Sequence, residues 1–322
     1  MIPPKVDFIQ APTPLHRLER ASRELGLELW IKRDDLTGFA MGGNKGRKLE
    51  YLIADALAQR AEVVVSCGAM QSNFVRQLGA ACACFGLRCA CAVMQLPFPK
   101  ETGRPSVAPM RAVSGNVLLD GLVGLDLRVF EDGTWEELDE RAEEVAREFE
   151  ASGKKVCRIP IGGSSWLGAH AFEQAGRELQ VSGEVFDWIV FASSSGSTQT
   201  GLARAFFGSS TRVLGIACDP EPEMTGDFAE LNESVCRQMG GPSLAPEDFL
   251  FNLDYVGAAY GVPSEAGNEA ISFLARTEGI FLDPIYSGKG FAGLMDLARR
   301  KAMEGRVLFW HTGGTPALFA MP

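Results

Sequence analysis

Short β-branched runs alternate with amphipathic helical stretches along almost the whole chain, and this alternation constrains the fold more than any other feature of the sequence. Strands joined through helices cannot meet as tight hairpins; they pair in parallel, and the helices cover the faces of the sheet. The pattern predicts strands over 63–66, 88–94, 127–130, 156–159, 188–192, 213–217 and 307–310. The clearest helix begins near Gly46, because Leu49, Leu52, Ile53, Ala56 and Leu57 repeat at the spacing of one helical face. Asn44 is placed to cap it. The acidic helix over 135–152 reads as a mostly solvated face, and Gly153-Lys154-Lys155 restarts the chain into a strand, as at a domain edge. Repeats, heptads and low-complexity tethers are absent, so a second domain has to be made by passing the chain between two sheets. The proline-rich segment 96–113 is the best candidate for a mobile loop.

Composition narrows the partners. With 322 residues, 46% of them hydrophobic and 22% charged, the chain can bury a large core in one or two domains. A net charge of -10 offers no extended cationic surface, so nucleic acid is not an expected ligand. The first residues lack a basic then apolar leader, and the most apolar stretch, 80–94, is broken by Gly86 and Arg88; a cytoplasmic protein without a membrane span is expected. Cys82-x-Cys84 and Cys89-x-Cys91 imitate metal-ligand pairs. In a helix, however, residues two apart point about 200° apart. The expected role of these thiols is therefore that of small buried hydrophobes, with no metal site.

Four segments have the residue types for chemistry. Gly288-Lys289-Gly290-Phe291-Ala292-Gly293 matches a dinucleotide fingerprint, but the strand that follows ends in His311-Thr312 and not in the acidic residue that would hold a ribose. The run Ser193 to Gly201 joins a strand to a helix; its N–H groups and hydroxyls suit a phosphate, and a plain loop fits as well. Lys45, Arg47 and Lys48 put positive charge at the start of a helix, against its dipole. Either this is a solvated cluster, or Lys45 is favoured as a neutral amine and suits Schiff-base chemistry. Gln71-Ser72-Asn73 again follows a strand, as a carboxylate site or as a capped helix start.

Taken in order, Ile31-Lys32-Arg33-Asp34-Asp35, the segment 42–51, Gln71-Ser72-Asn73, the segment 159–165, the Ser195 loop, Tyr260-Gly261-Val262-Pro263, the segment 283–289 and the segment 311–318 resemble one family across nearly the whole chain. It is the pyridoxal-5′-phosphate enzymes of fold type II, tryptophan-synthase-β-like, in the branch of D-cysteine desulfhydrase, 1-aminocyclopropane-1-carboxylate deaminase and L-cysteate sulfo-lyase. The resemblance implies an α/β fold of two open, twisted, mostly parallel sheet domains with helices on both faces and the cofactor in the cleft between them. The large domain would comprise 1–47 and 158–322, the small one 48–157, and the assembly would be a homodimer acting on a small amino acid. By the same resemblance Lys45 carries the pyridoxal 5′-phosphate covalently, Asn73 meets its ring hydroxyl, and Ser195, Gly196, Ser197, Thr198 and Gln199 cradle its phosphate. Gln71, Ser72, Asn73, Tyr260 and Tyr286 would face the substrate, with Lys45, Ser72 and Tyr286 catalytic.

The residue facing the pyridine nitrogen separates the branches. The deaminase carries a Glu after the Tyr of its Asp-Pro-x-Tyr motif, where this chain has Ser287; in the desulfhydrase the Thr of His-Thr-Gly-Gly takes that place, and Thr312 matches it. The implied reaction is α,β-elimination, D-cysteine giving pyruvate, hydrogen sulfide and ammonia. The alternatives are cysteate sulfo-lyase, with Arg104 or Arg111 as sulfonate partners, then the deaminase, and from another class a non-catalytic cofactor carrier.

Overall fold

The computed structural model describes residues 4–105 and 113–320; Arg111 and the middle of the 96–113 segment lie outside the described residues. The chain builds two separate sheets. Strands β3 (Val63–Ala69), β4 (Arg88–Met94), β5 (Asp126–Phe130) and β6 (Val156–Arg158) form a parallel four-stranded sheet in the order β5-β4-β3-β6. The second sheet has six strands in the order β1-β2-β10-β7-β8-β9. Its members are β1 (Leu15–Arg17), β2 (Glu28–Arg33), β7 (Trp188–Ser193), β8 (Arg212–Ala217), β9 (Leu250–Asn252) and β10 (Arg306–His311). Among the described strands only β1 runs antiparallel, at the edge. The seven predicted strands are all present; β1, β2 and β9 escaped because β1 and β9 are three residues long and β2 mixes charge with its buried Leu29 and Ile31.

Each sheet is covered on both faces, as parallel sheets require. Helices α9 (Glu265–Glu278) and α10 (Ser287–Arg299) close one apolar cluster with Ile31, Val190 and Phe309; α6 (Trp166–Val181) and α7 (Ser197–Phe206) close another with Phe191 and Trp310. The glycines of the dinucleotide-like run serve this packing. A Cβ on Gly290 would lie 2.9 Å from the Ala192 amide nitrogen of β7, so α10 can approach the sheet only without a side chain there. In the smaller sheet α5 (Trp135–Ala151) is acidic outside but buries Leu138, Val145 and Phe149 against Val63 and Val65. Cys82, from α3 (Asn73–Cys84), joins Cys89, Cys91 and Cys157 in the apolar cluster on the opposite face.

The helix α2 (Lys45–Ala58) joins the two sheets. It is buried nearly all round, including Arg47, Lys48 and Glu50, because α3 packs on one side and α6 on the other, and Leu57 alone of the expected stripe is exposed. The division expected at 47/48 therefore passes through a continuous helix. Asn44 takes the cap position with helical backbone angles but makes no cap bond; its side chain is spent elsewhere. Among the described residues no helix is long and apolar enough to cross a membrane.

Candidate active site

Parallel strands all release the chain at one end, so the loops after β3, β7 and β10 and the starts of α2, α3, α7 and α10 converge on a single cleft. Lys45 enters it from a turn in which Ala40, Met41, Gly42 and Gly43 all have left-handed backbones, with φ of 45°, 66°, 73° and 122°. Such a turn is strained at the two residues with side chains. Its last two must be glycine, since a Cβ on Gly42 would fall 1.8 Å from the Asp35 carbonyl oxygen. The Thr312 carbonyl accepts from Asn44 N–H at 2.9 Å and braces the turn from the end of β10. The Lys45 ammonium donates to Asn44 Oδ1 at 3.2 Å, and Asn44 Nδ2 donates to Thr198 Oγ1 at 3.3 Å. Burial pushes the Lys45 amine down to about 8, the Arg76 charge adding to this against the opposing pull of Cys218 and Asp283.

Across the cleft stands the head of α7. Ser193, Ser195, Gly196 and Thr198 line the cavity there. The first-turn N–H groups of a helix have no intrahelical partners, and the dipole adds a positive field. Thr198 already accepts from Asn44, which leaves its O–H free to donate. Gly162, in the turn before α6, is required because a Cβ would lie 2.3 Å from Ser195 Oγ. The buried hydroxyl of Ser193, which lines the cavity, has no partner among the described residues. An unpartnered hydroxyl, first-turn amides and a helix start fit the phosphate of the expected cofactor.

Two residues of the expected cradle are turned elsewhere. The Ser197 N–H donates to Ser164 Oγ at 3.1 Å and its hydroxyl packs against α6 near Gly168, while the Gln199 amide donates to the Leu250 carbonyl at 3.3 Å beside Gly215. The Gln199 side chain is drawn back by a partner distant in sequence, so Gln199 offers only its backbone, while the Ser197 hydroxyl is packed away from the cavity without a partner among the described residues. Gln71 is corrected likewise: its side chain accepts from Asn116 N–H at 2.9 Å and donates to the Ser114 carbonyl at 3.0 Å, anchoring α4 (Gly115–Leu122), and it does not line the cavity. Arg104 pairs with Asp132 on the surface at 3.0 Å and does not line the cavity.

Ser72 caps α3 by accepting from the N–H groups of Phe74 and Val75, as the plainer alternative had it. With both lone pairs used, its own hydrogen is left to donate into the cleft it lines. Asn73, Thr312, Tyr260 and Tyr286 line the same cavity. The two tyrosine hydroxyls touch, and burial drives both well above the ordinary phenol range, so both are protonated at neutral pH. Ser287 faces away: its hydroxyl donates to Asp283 Oδ2 at 2.6 Å, and Asp283 also accepts from the N–H groups of Ile285, Tyr286 and Ser287.

Sequence reasoning did not single out Trp135, Lys48 or Ser193, which line the cleft. Trp135, the first residue of the acidic α5, reaches over to Tyr260 with ring centroids 5.0 Å apart. Lys48 lies one turn after Lys45, donating to the Gly162 carbonyl at 3.2 Å, and burial holds its amine well below the usual lysine range. Its i+3 spacing from Lys45 was the available signal. Ser193 was inside the quoted loop without being singled out.

Behind the cleft, the Asp120 carboxylate is buried near Arg76 without a hydrogen-bond partner among the described residues, and burial pushes its pKa up to about 7. A carboxyl raised on folding costs stability as pH climbs from its unfolded value towards 7. Asp120→Asn is therefore expected to match wild type near pH 4 and to exceed it at pH 8 by about 2–4 kcal/mol in urea unfolding. Equal stability at pH 8 would show that the carboxylate is not isolated.

A buried lysine whose amine is pushed down to about 8, opposite a helix start suited to a phosphate, fits the class of enzymes that hold a phosphorylated aldehyde on a lysine. The chain belongs to the pyridoxal-phosphate dependent enzymes, whose family model matches residues 6–313, and its cofactor is pyridoxal 5′-phosphate. It is similar over 98% of its length, and 93% of the other chain, to a solved structure described as an ACC deaminase homologue, at 36% identity and a TM-score of 0.88. It shares the fold of an O-ureido-L-serine synthase, at 18% identity over 95% of this chain and 90% of that one with a TM-score of 0.65. The same holds for threonine deaminase isoform 2 of Solanum lycopersicum, at 14% identity over 95% and 80% with a TM-score of 0.63. The two-sheet architecture is thus fold type II.

Proposed function

We propose that this enzyme carries out α,β-elimination on a small β-substituted amino acid, D-cysteine giving pyruvate, hydrogen sulfide and ammonia. The observation that carries the reading is the neutral far side of the cleft: Thr312 lines it, whereas Ser287, where the deaminase has Glu, is buried on Asp283. When bound, pyridoxal phosphate supplies the electron sink for the pair left at Cα, and a hydroxyl partner leaves that sink weak, which suffices for a good β-leaving group. Ser195, Gly196 and Thr198 would hold its phosphate, and Asn73 and Thr312 its ring. Lys45 would hold the cofactor, and its Nζ, as a free amine, would take the Cα proton. The Ser72 O–H fixes the substrate carboxylate. Tyr286, its proton backed by Tyr260, protonates the departing sulfur. The released 2-aminoacrylate hydrolyses to pyruvate and ammonia.

Likeness to the ACC deaminase homologue supports a second reading, ring opening of 1-aminocyclopropane-1-carboxylate. Sulfite elimination from L-cysteate has less support, since among the described residues the cations lining the cavity are Lys45 and Lys48 and Arg104 is not one of them. The test is keto-acid release from D-cysteine, L-cysteine, L-cysteate and 1-aminocyclopropane-1-carboxylate. Equal yields of sulfide and pyruvate from D-cysteine, with the highest kcat/KM of the panel, are expected. Preference for the cyclopropane sinks the elimination reading, and no product from any of them makes the protein a carrier.

Ser287→Glu tests the branch assignment. Its carboxylate would sit against Asp283 in a fully buried site. The expected result is a loss of roughly 3–5 kcal/mol of stability, as for an unpaired buried charge, and no gain of deaminase activity. A stable, ring-opening variant would reverse the assignment.

A further inference from the structure

Arg76 lies one turn beyond Asn73 on α3, is almost fully buried, and does not line the cavity. Its Nη1 donates to Asn73 Oδ1 at 2.9 Å and to Asn116 Oδ1 at 2.5 Å, and its Nη2 donates to the Gly42 carbonyl at 2.8 Å. Asn116 Nδ2 adds a second donor to Asn73 Oδ1 at 3.0 Å and also donates to the Gln71 carbonyl at 2.7 Å. A guanidinium has five donors and no acceptor, so only the oxygen of the Asn73 amide can face Arg76. The N–H groups of that amide are thereby turned to the cleft. The same guanidinium grips Gly42 in the strained turn that presents Lys45, so one rigid fork fixes both sides of the site relative to each other.

We propose that Arg76 is a positioning residue for the cofactor: it aims the Asn73 amide as a donor and ties it to the Lys45 turn. The proposal rests on the reading that Asn73 meets the ring oxygen of pyridoxal phosphate. A donor aimed there selects the oxygen as an acceptor, that is, in its deprotonated form. The interaction crosses from α3 to the start of α2 without touching substrate, which separates the role of Arg76 from that of a catalytic residue.

The test is the dissociation constant of pyridoxal phosphate from the apoprotein, by equilibrium dialysis, in wild type, Arg76→Met, Asn73→Ala and the double variant. Arg76→Met is expected to weaken binding roughly 10–100-fold, the range for losing an outer partner of a ligating group. In the Asn73→Ala background the same change should cost less than about threefold, because the amide to be aimed is gone. Additive losses overturn the proposal. Arg76→Lys keeps the charge but not the fork, so full affinity in that variant overturns it too. If Arg76→Met does not fold, Asn116→Ala carries the same cycle by removing the second donor to Asn73: weaker binding in wild type but not in Asn73→Ala is expected, and equal effects in both refute. A wild-type apoprotein that takes up no cofactor, or an Asn73→Ala protein that binds it as wild type does, overturns the reading of the site itself and this proposal with it.

Discussion

Lys45→Ala is expected to lose turnover by about 10⁴-fold or more, since in the proposed mechanism one side chain supplies both the covalent hold and the base. Its fold should survive. Among the described residues Lys45 bonds to Asn44 and not to a carboxylate, and burial pushes its amine down to about 8. A base lowered on folding destabilises the protein below its folded value, so at pH 7 the alanine apoprotein should melt at or above the wild-type temperature. The measurement is pyruvate release beside a melting curve, with borohydride reduction and peptide mapping of the wild type. A pyridoxyl label on Lys48, or on any residue other than Lys45, would displace Lys45 from its role.

The second large effect is expected two residues further on. Arg47 donates to Asp34 through Nε at 2.8 Å and Nη2 at 2.8 Å, and to Glu178 through Nη1 at 2.8 Å; Lys32 reaches the same Glu178 at 2.5 Å, and Thr13 donates to Asp34 at 2.8 Å. The cluster is almost dry. Burial opposes the charges of Asp34, Arg47 and Glu178, and Arg47 holds the Asp34 carboxyl below its usual value in spite of it. Removing one member of such a group leaves its partner charged and unpaired, at a cost of about 3–5 kcal/mol. Arg47→Met should lose that much in denaturant unfolding, and Arg47→Lys should recover only part, because an ammonium cannot span two carboxylates in a plane. Cofactor affinity should fall as well, since the first turn of α2 is anchored there. A loss below 1 kcal/mol would mean that the network is no more than a set of surface-like pairs.

How much of this was legible in the chain differs from residue to residue. The parallel strands, the three loop-to-helix junctions and Lys45 were readable, because hydrophobic period and local turn chemistry act between neighbours in sequence. The aim of Gln71, Ser197 and Gln199 was not. Their backbones sit where expected, but Asn116, Ser164 and Leu250, lying 45, 33 and 51 residues away, take up their polar groups. Trp135 was lost in an acidic helix whose composition spoke only of solvent. Likewise the pairing of Arg47 with Glu178 spans 131 residues, and nothing near either one announces it.

By itself, then, the sequence determined the two-sheet α/β class and the family, since these depend on periodicity and on motifs that are contiguous. Tertiary structure alone decided which hydroxyls keep a free hydrogen, which amides face the cleft and which charges are buried in pairs. The physical reason is that a hydrogen bond or a desolvated charge is settled by whichever partner folding brings within 3 Å, and chain order does not encode that distance.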